Sequence, residues 1–210
     1  MGRVAQSVAG PLLGPRSLHG AVDGRTVMVT GASSGIGRAA AVEIGRAGGT
    51  VLLVARSTAR LEEAAREIEA CGGLAEVYSA DLSAEASIDE LLERVLAEHP
   101  RIDVLVNNAG RSIRRSLALS YERFHDFERT MQLNYLGPVK LILGLLLGMR
   151  ERRSGQIVNV STLGAQTNAP KRPSAASEFS VEQVAHRPLR RKAPQSGRGG
   201  ATAEQQLWPI

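Results

Sequence analysis

The chain alternates short aliphatic runs with helix-like stretches from residue 26 to about residue 160, and this alternation constrains its fold more than any other feature. The aliphatic runs are continuous, which is typical of strands that are buried on both faces of a sheet. The stretches between them repeat apolar residues at helical spacing, as in STARLEEAAREIEACGG at 57–73. Such alternation predicts an α/β fold, a doubly wound parallel sheet with helices on both faces.

Five strands are expected, with the order 3-2-1-4-5 across the sheet. They are, in chain order, RTVMVT, TVLLVARS, LAEVYSADLS, IDVLVNNAG and GQIVNVSTLG. A helix is predicted within residues 57–73, starting at Ser57 and Thr58 and ending before Gly72. The stretch SAEASIDELLERVLAEHP predicts a second helix, which ends at Pro100, and a further helical segment is expected from about 121 to 149. Ligands of such folds bind at the carboxyl ends of the strands, so the loops after each strand are the first candidates for a site.

Composition divides the chain into three parts: a flexible segment at 1–20, one α/β domain at 21–170 and a basic tail at 171–210. The tail carries seven basic and three acidic residues, whereas the whole chain has 26 and 21, so the body is nearly neutral. The tail is rich in Pro, Gly and Ser without periodicity, so we expect it to be disordered.

Several protein classes are disfavoured by the same composition. The tail lacks interleaved aromatic residues, so no nucleic-acid partner is expected. Residues 1–20 hold no sustained apolar run and LILGLLLG (141–148) is too short to cross a bilayer, so neither a signal peptide nor a membrane span is predicted. The single cysteine, Cys71, excludes an internal disulfide and fits a cytoplasmic protein; we interpret it as a small residue at a helix end with nothing nearby to lower its pKa. The four histidines show no ligand spacing, so no metal site is predicted.

The turn TGASSGIG (30–37) joins the first strand to the first helix. Glycines allow a tight turn and a close approach of the backbone, and the helix N-terminus presents N–H groups to a phosphate. In this position the pattern predicts a dinucleotide site. The expected contacts are Gly31, Ser33, Ser34, Gly35, Ile36 and Gly37.

Loops after the next three strands supply further candidates. Arg56 and Ser57 stand where an NAD site carries an acidic residue for the ribose, and a guanidinium pairs instead with a 2′-phosphate. NADP(H) is therefore favoured over NAD(H). The other predicted contacts are Asp81, which could accept a hydrogen bond from the adenine amino group, with Leu82, Asn108, Ala109 and Gly110.

Taken together, TGASSGIG (30–37), NNAG (107–110) and VNVSTLG (158–164) resemble the short-chain dehydrogenase/reductase family, in its classical branch. The resemblance covers about residues 22–170. It implies hydride transfer between a nicotinamide cofactor and a small carbonyl or alcohol substrate, by a homo-oligomer in the intact family. It also implies a catalytic set of Asn, Ser, Tyr and Lys, in which Tyr is the acid/base.

Only part of that catalytic set is present. Asn134 in QLNYLG matches the asparagine, and Thr162 takes the serine slot with Ser161 as the fallback. Ala175 and Phe179 stand at roughly the positions of the tyrosine and the lysine. Tyr135 and Lys140 are five residues apart, so they do not share a helix face, and we interpret this pair as a coincidence.

The missing Tyr-x-x-x-Lys segment shapes the functional prediction. The leading one is an NADP(H)-dependent oxidoreductase of this family whose activity is impaired, with a fold incomplete on its C-terminal side. The alternative is an inactive module that binds NADP(H) or a partner. The tail also has the composition of a GC-rich gene translated out of frame, so we hypothesise a frameshift near codon 170. Without the following helix, the fifth strand and LILGLLLG would be exposed and would favour self-association.

Overall fold

The computed structural model describes residues 18–113 and 120–161, which form one parallel sheet with helices on both faces. The sheet has five strands in the order β3-β2-β1-β4-β5, and all four pairings are parallel. In chain order the elements are α1 (Leu18–Val22), β1 (Thr26–Thr30), α2 (Gly35–Arg46), β2 (Thr50–Ala55), α3 (Thr58–Ala70), β3 (Leu74–Ser79), α4 (Glu85–Glu98), β4 (Val104–Asn107), α5 (Phe124–Met131), a π-helical turn (Gln132–Leu136), α6 (Gly137–Glu151) and β5 (Gln156–Asn159).

The core consists of two apolar layers, one on each face of the sheet. Val27 and Val29 of β1 point to the layer under α2 and α3, where they meet Leu61 and Ile68. Met28 points to the other layer, beneath α4 and α6. Successive side chains of a strand face opposite ways, so a strand buried on both faces must be aliphatic throughout. This requirement explains the continuous runs in the sequence.

The sequence predictions for the fold are confirmed. The α/β class, the parallel sheet and its strand order are as expected. The helix predicted from Ser57 has Ser57 as its N-cap and ends at Ala70, and Gly72 follows with a φ of +79°. The helical segment expected at about 121–149 is α5, the π-helical turn and α6, which run on without a break from Phe124 to Glu151. Helix α1 begins at Leu18, inside the segment expected to be flexible.

Cys71 lies at the C-terminal end of α3, as expected, and is exposed. The structure adds a neighbour that the sequence did not indicate, since Nε of Arg46 in α2 donates a hydrogen bond to its Sγ at 3.3 Å. The two helices pack against each other in space, and their residues are 25 positions apart in sequence, so local sequence gave no sign of the contact.

The continuous helix from Phe124 to Glu151 has 28 residues and is the one described helix that is long and apolar enough to cross a membrane by length and composition. Its packing suits a core helix of the sheet. Leu141, Ile142, Leu145 and Met149 are buried in the layer shared with α4. Lys140 on the same helix forms ion pairs with Glu85 and Asp89 of α4, at 2.8 and 2.7 Å.

Candidate functional site

A groove of about 660 Å³ opens at the carboxyl edge of the sheet. The loops after β1, β2, β3 and β4 line it, together with residues of α5 and the π-helical turn. Ten of the predicted cofactor contacts lie on its walls: Gly31, Ser33, Ser34, Arg56, Ser57, Asp81, Leu82, Asn108, Ala109 and Gly110. Gly35, Ile36 and Gly37 form the first turn of α2, which starts directly after Ser34.

The glycine turn is packed too tightly for any side chain at two positions. Gly31 has a φ of +69°, and a Cβ there would lie 2.8 Å from Nδ2 of Asn108 and 2.9 Å from Cα of Ala109. A Cβ on Gly37 would lie 2.5 Å from the Gly31 carbonyl oxygen. The first turn of α2 therefore sits directly against the loop that follows β4, which fixes its direction toward the groove.

Asn108 and Thr30 hold these two loops together. Nδ2 of Asn108 donates to the carbonyl of Thr30 at 3.0 Å, and the Thr30 hydroxyl accepts from the backbone N–H groups of Asn108 and Ala109 at 3.0 Å each. The Thr30 hydroxyl in turn donates to the carbonyl of Val106. The amide nitrogen of Asn108 is thus engaged with the glycine turn, so Asn108 shapes the groove by positioning that turn.

The N-terminus of α2 offers hydrogen-bond donors that the described residues leave free. Ser34 is the N-cap, and its side chain makes no capping hydrogen bond. The first helical N–H groups of any α-helix lack an intrahelical acceptor, and they carry the positive end of the helix dipole. No acidic residue occupies the first turn of α2. This end of the groove therefore suits a phosphate or diphosphate.

The loop after β2 brings cations to the groove. Arg56 and Arg60 both line it, with Ser57 between them, and all three are at least partly exposed. Neither guanidinium has a carboxylate within salt-bridge distance among the described residues. An anionic group that entered here would thus meet two guanidinium groups that form no salt bridge within the described part of the chain, and a hydroxyl.

Asp81 is the groove's acidic residue and is held in a fixed orientation. Its Oδ1 accepts hydrogen bonds from the Ser83 hydroxyl at 2.7 Å and from the Ser83 N–H at 3.0 Å. These hydrogen bonds, chiefly, hold the pKa of Asp81 below its ordinary value, and the nearby charges of Arg56 and Arg129 act in the same direction. Asp81 is therefore a carboxylate whose second oxygen can accept a hydrogen bond from a ligand.

Asn134 is buried in the π-helical turn, and its side chain binds the backbone after β4. Its Oδ1 accepts from the N–H of Arg111 and its Nδ2 donates to the carbonyl of Arg111, both at 2.9 Å. π-Helical turns inside longer helices frequently mark functional sites. Here the wider turn places Asn134 against the β4 loop, so its side-chain amide fixes that loop.

The loop after β5 is described only at its start. Ser161 is half-buried, and its hydroxyl has no partner among the described residues; neither has Oδ1 of Asn107, at the end of neighbouring β4. Thr162, predicted to fill the catalytic serine slot, lies outside the described residues, as do Ala175 and Phe179. Lys140 points to α4 in its two ion pairs, which agrees with the interpretation that Tyr135 and Lys140 are no catalytic pair.

Sequence reasoning missed several residues that line the groove: Ala55, Arg60, Ala80, Ser83, Arg111, Arg129 and Leu133. Arg60 could have been found, because it lies in the first turn of the helix that starts directly after Arg56 and Ser57. Arg129 and Leu133 could not, because they come from α5 and the turn after it, about 50 residues beyond Asp81 in sequence. Only the fold brings that helix to the groove.

A second polar cluster lies at the far end of α4. Ligand atoms of Glu76, Glu98 and His99 lie within 4.8 Å of one another, an arrangement that sequence spacing did not predict because Glu76 comes from β3. The Tyr78 hydroxyl donates to both carboxylates, and Arg94 pairs with Glu98. Burial, with these two acidic partners, raises the pKa of Tyr78. The carboxylates of Glu76 and Glu98 therefore already have polar partners within the protein, in Tyr78 and Arg94.

Known proteins match both the sequence and the fold. The model of a family described as short chain dehydrogenase matches residues 25–193. An uncharacterized oxidoreductase of Mycobacterium tuberculosis is 57% identical over 159 residues, which cover 74% of this chain and 47% of that protein. A fatty acyl-CoA reductase of Acinetobacter baylyi is 50% identical over 150 residues, which cover 71% of this chain and 51% of that protein.

Among solved structures, a metagenomic short-chain oxidoreductase in complex with NADP superposes with a TM-score of 0.72 at 33% identity, covering 78% of this chain and 74% of the other. The chain spans about half the length of the curated relatives it matches.

Proposed function

Because the chain belongs to the short-chain dehydrogenase family, we propose that it binds NADP(H) in the groove and that its hydride transfer to a carbonyl substrate is impaired. The observation that carries the cofactor part is that a free helix N-terminus and two arginines without a salt bridge among the described residues line one groove. These are the chemical requirements of a diphosphate and of a 2′-phosphate.

The residues present fit each part of this cofactor. The first turn of α2 would hold the diphosphate, and Arg56, Ser57 and Arg60 would hold the 2′-phosphate. The free carboxylate oxygen of Asp81 would accept from the adenine amino group, because Ser83 already occupies the other oxygen. When bound, the nicotinamide would supply or accept the hydride.

The preference for NADP(H) rests on charge. An NAD(H) site carries a carboxylate at the end of the second strand to accept hydrogen bonds from the ribose hydroxyls. Arg56 at that place can only donate, so it favours the phosphorylated ribose. The metagenomic short-chain oxidoreductase that this chain resembles was solved in complex with NADP, which supports this preference.

The impairment follows from the acid/base chemistry. Carbonyl reduction needs a proton donor beside the substrate oxygen, and such a group contributes about 10²–10⁴-fold to a rate. The chain carries no Tyr-x-x-x-Lys, and Lys140 is engaged by α4. Asn134 would keep its positioning role, and Thr162 or Ser161 would still orient a substrate oxygen.

The substrate class that we propose for testing is a long-chain acyl group, as an acyl thioester or aldehyde. Two of the curated relatives, at 50% and 49% identity, are fatty acyl-CoA reductases. Arg111 lies on the groove wall and begins the basic loop RSIRRS, which suits an acidic substrate.

A cytoplasmic location is proposed for a protein of this fold.

A second candidate function is an inactive module that binds a partner through α6. Leu143 and Leu147 lie one turn apart on that helix and are 65% and 67% exposed, and Leu136, directly before the helix, is exposed as well. Light scattering on a size-exclusion column tests this candidate. A monomer at all concentrations that also captures no intact family member would refute it.

The experiment for the leading proposal measures binding and turnover separately on the purified full chain. NADPH emission should rise saturably on titration, and NADPH absorbance should stay constant when a long-chain aldehyde is added. No saturable emission would reject the cofactor assignment, whereas steady consumption of NADPH would reject the impairment. The gene sequence tests the origin of the tail: a Y-x-x-x-K motif and further strand–helix units should appear in another frame after codon 170.

A further inference from the structure

Arg129 reaches the groove from α5, an element that carries none of the predicted cofactor contacts. It lines the groove together with Leu133 of the π-helical turn, four residues later in sequence. Its side chain is exposed and has no salt-bridge partner among the described residues. The neighbouring Arg123, by contrast, pairs with Asp126 at 2.7 Å.

Arg129 lines the same groove as Asp81 and Arg56. Arg56 comes from the loop after β2 and Arg129 from α5, so guanidinium groups from two different elements flank this part of the groove. Both also act electrostatically on the carboxylate of Asp81. A ligand group that contacts Asp81 can therefore also contact Arg129.

The other parts of the ligand already have partners in the proposed arrangement. The α2 N-terminus would take the diphosphate, while Arg56 and Arg60 would take the 2′-phosphate. Around Asp81 there remain the apolar side chains of Leu82 and Leu133 and the planar cation of Arg129. Apolar walls, one acceptor and a guanidinium plane are what a purine ring requires, since guanidinium groups stack on the faces of nucleobases.

We propose that Arg129 is a cofactor-binding residue that stacks its guanidinium on the adenine ring while Asp81 accepts from the adenine amino group. The inference rests on the proposed function for the location of the adenine. It makes Arg129 a determinant of the base, in contrast to Arg56, which is a determinant of the 2′-phosphate. The two arginines should therefore respond differently to the same set of nucleotides.

Calorimetric titration of the full chain with four nucleotides separates these roles: NADPH, NADH, 5′-AMP and the adenine-free reduced nicotinamide mononucleotide. In Arg129→Gln the dissociation constants for NADPH, NADH and AMP should rise by a common factor of about two to five, the size of an exposed cation–π contact. The value for the mononucleotide should not change. Arg129→Lys should restore part of the affinity, because it keeps the charge but loses the plane.

Arg150→Gln is the matched control, because Arg150 is an exposed arginine of the same continuous helix outside the groove. It should bind all four nucleotides like the wild type. Arg56→Gln should weaken NADPH alone.

Three results in Arg129→Gln would overturn the proposed role of Arg129. Unchanged affinities would show that it does not contact the nucleotide, and a loss confined to NADPH would make it a phosphate ligand. An equal loss of affinity for the mononucleotide would make its role structural. Failure of the proposed function looks different. If the wild type binds AMP but not NADPH, NADP(H) is rejected as the cofactor, and the AMP affinity of Arg129→Gln still tests the contact of Arg129 with adenine. A wild type that binds none of the four would reject both.

Discussion

Gly37→Ala tests how the tightness of the glycine turn produces the nucleotide site. The added Cβ would lie 2.5 Å from the carbonyl oxygen of Gly31 and close to Nδ2 of Asn108. Ordinary contacts of a carbon atom lie at about 3.5 Å, so the two loops must separate by roughly 1 Å. Overpacking of this kind costs about 1–3 kcal/mol of unfolding free energy.

The same displacement should weaken binding, because the N–H groups of the first α2 turn would move away from the phosphate. The loss of one hydrogen bond to a charged group costs about 1.5–3 kcal/mol, so NADPH affinity should fall by about ten- to a hundredfold. Urea unfolding followed by circular dichroism measures the stability, and NADPH fluorescence measures the affinity.

Gly45→Ala is the matched control within the same helix. Its Cβ would lie 2.4 Å from Cγ2 of Ile68, so it should destabilise the protein to a similar extent. Gly45 lies at the other end of α2 from the groove, however, and nucleotide affinity should stay at the wild-type value. Wild-type affinity in Gly37→Ala, or an equal loss of affinity in Gly45→Ala, would refute the link between the turn and the site.

The remaining predictions concern single charges. Arg56→Gln should weaken the binding of NADPH about ten- to a hundredfold and leave the affinity for NADH unchanged. Arg66→Gln, in the helix that follows Arg56, is the control and should change neither affinity. Equal effects on both cofactors in a fluorescence titration would contradict the 2′-phosphate assignment. The pKa of Asp81 is lowered in the folded protein, so its charge stabilises the fold above the ordinary carboxyl pKa and ceases to do so as the pH falls. Urea unfolding should therefore show a stability difference between wild type and Asp81→Asn at pH 7 that shrinks below about pH 4. A difference that stays constant with pH would contradict this role of the Asp81 charge. Lys140→Met should leave NADPH affinity and any residual turnover unchanged, since Lys140 is paired with α4; a further drop in steady-state turnover would give it a catalytic role after all.

The fold could be predicted from sequence because its main determinants are local. Continuous aliphatic strands such as TVLLVA (50–55) can only lie inside a sheet that is covered on both faces, and the glycine turn sets the first strand–helix unit. Residues at the ends of successive strands, such as Gly31, Arg56 and Asp81, therefore had to meet at one edge. This geometric rule is the reason that these three could be named without a structure.

Contacts between elements distant in sequence could not be predicted. Arg129 lines the same groove as Asp81 only because the helix that contains it folds back over the strand ends, and Arg46 reaches Cys71 only because α2 packs on α3. The side-chain direction of Asn108 was equally hidden. Sequence placed it at the groove, whereas the structure shows that its amide nitrogen binds the glycine turn.

Parallel equilibrium titrations of the purified full chain with NADPH and with NADH test the central claim most directly. The groove has a free helix N-terminus and two arginines that form no salt bridge among the described residues, so NADPH should bind saturably and at least about tenfold more tightly than NADH. Equal affinities, tighter binding of NADH, or no saturable binding of either would contradict the claim.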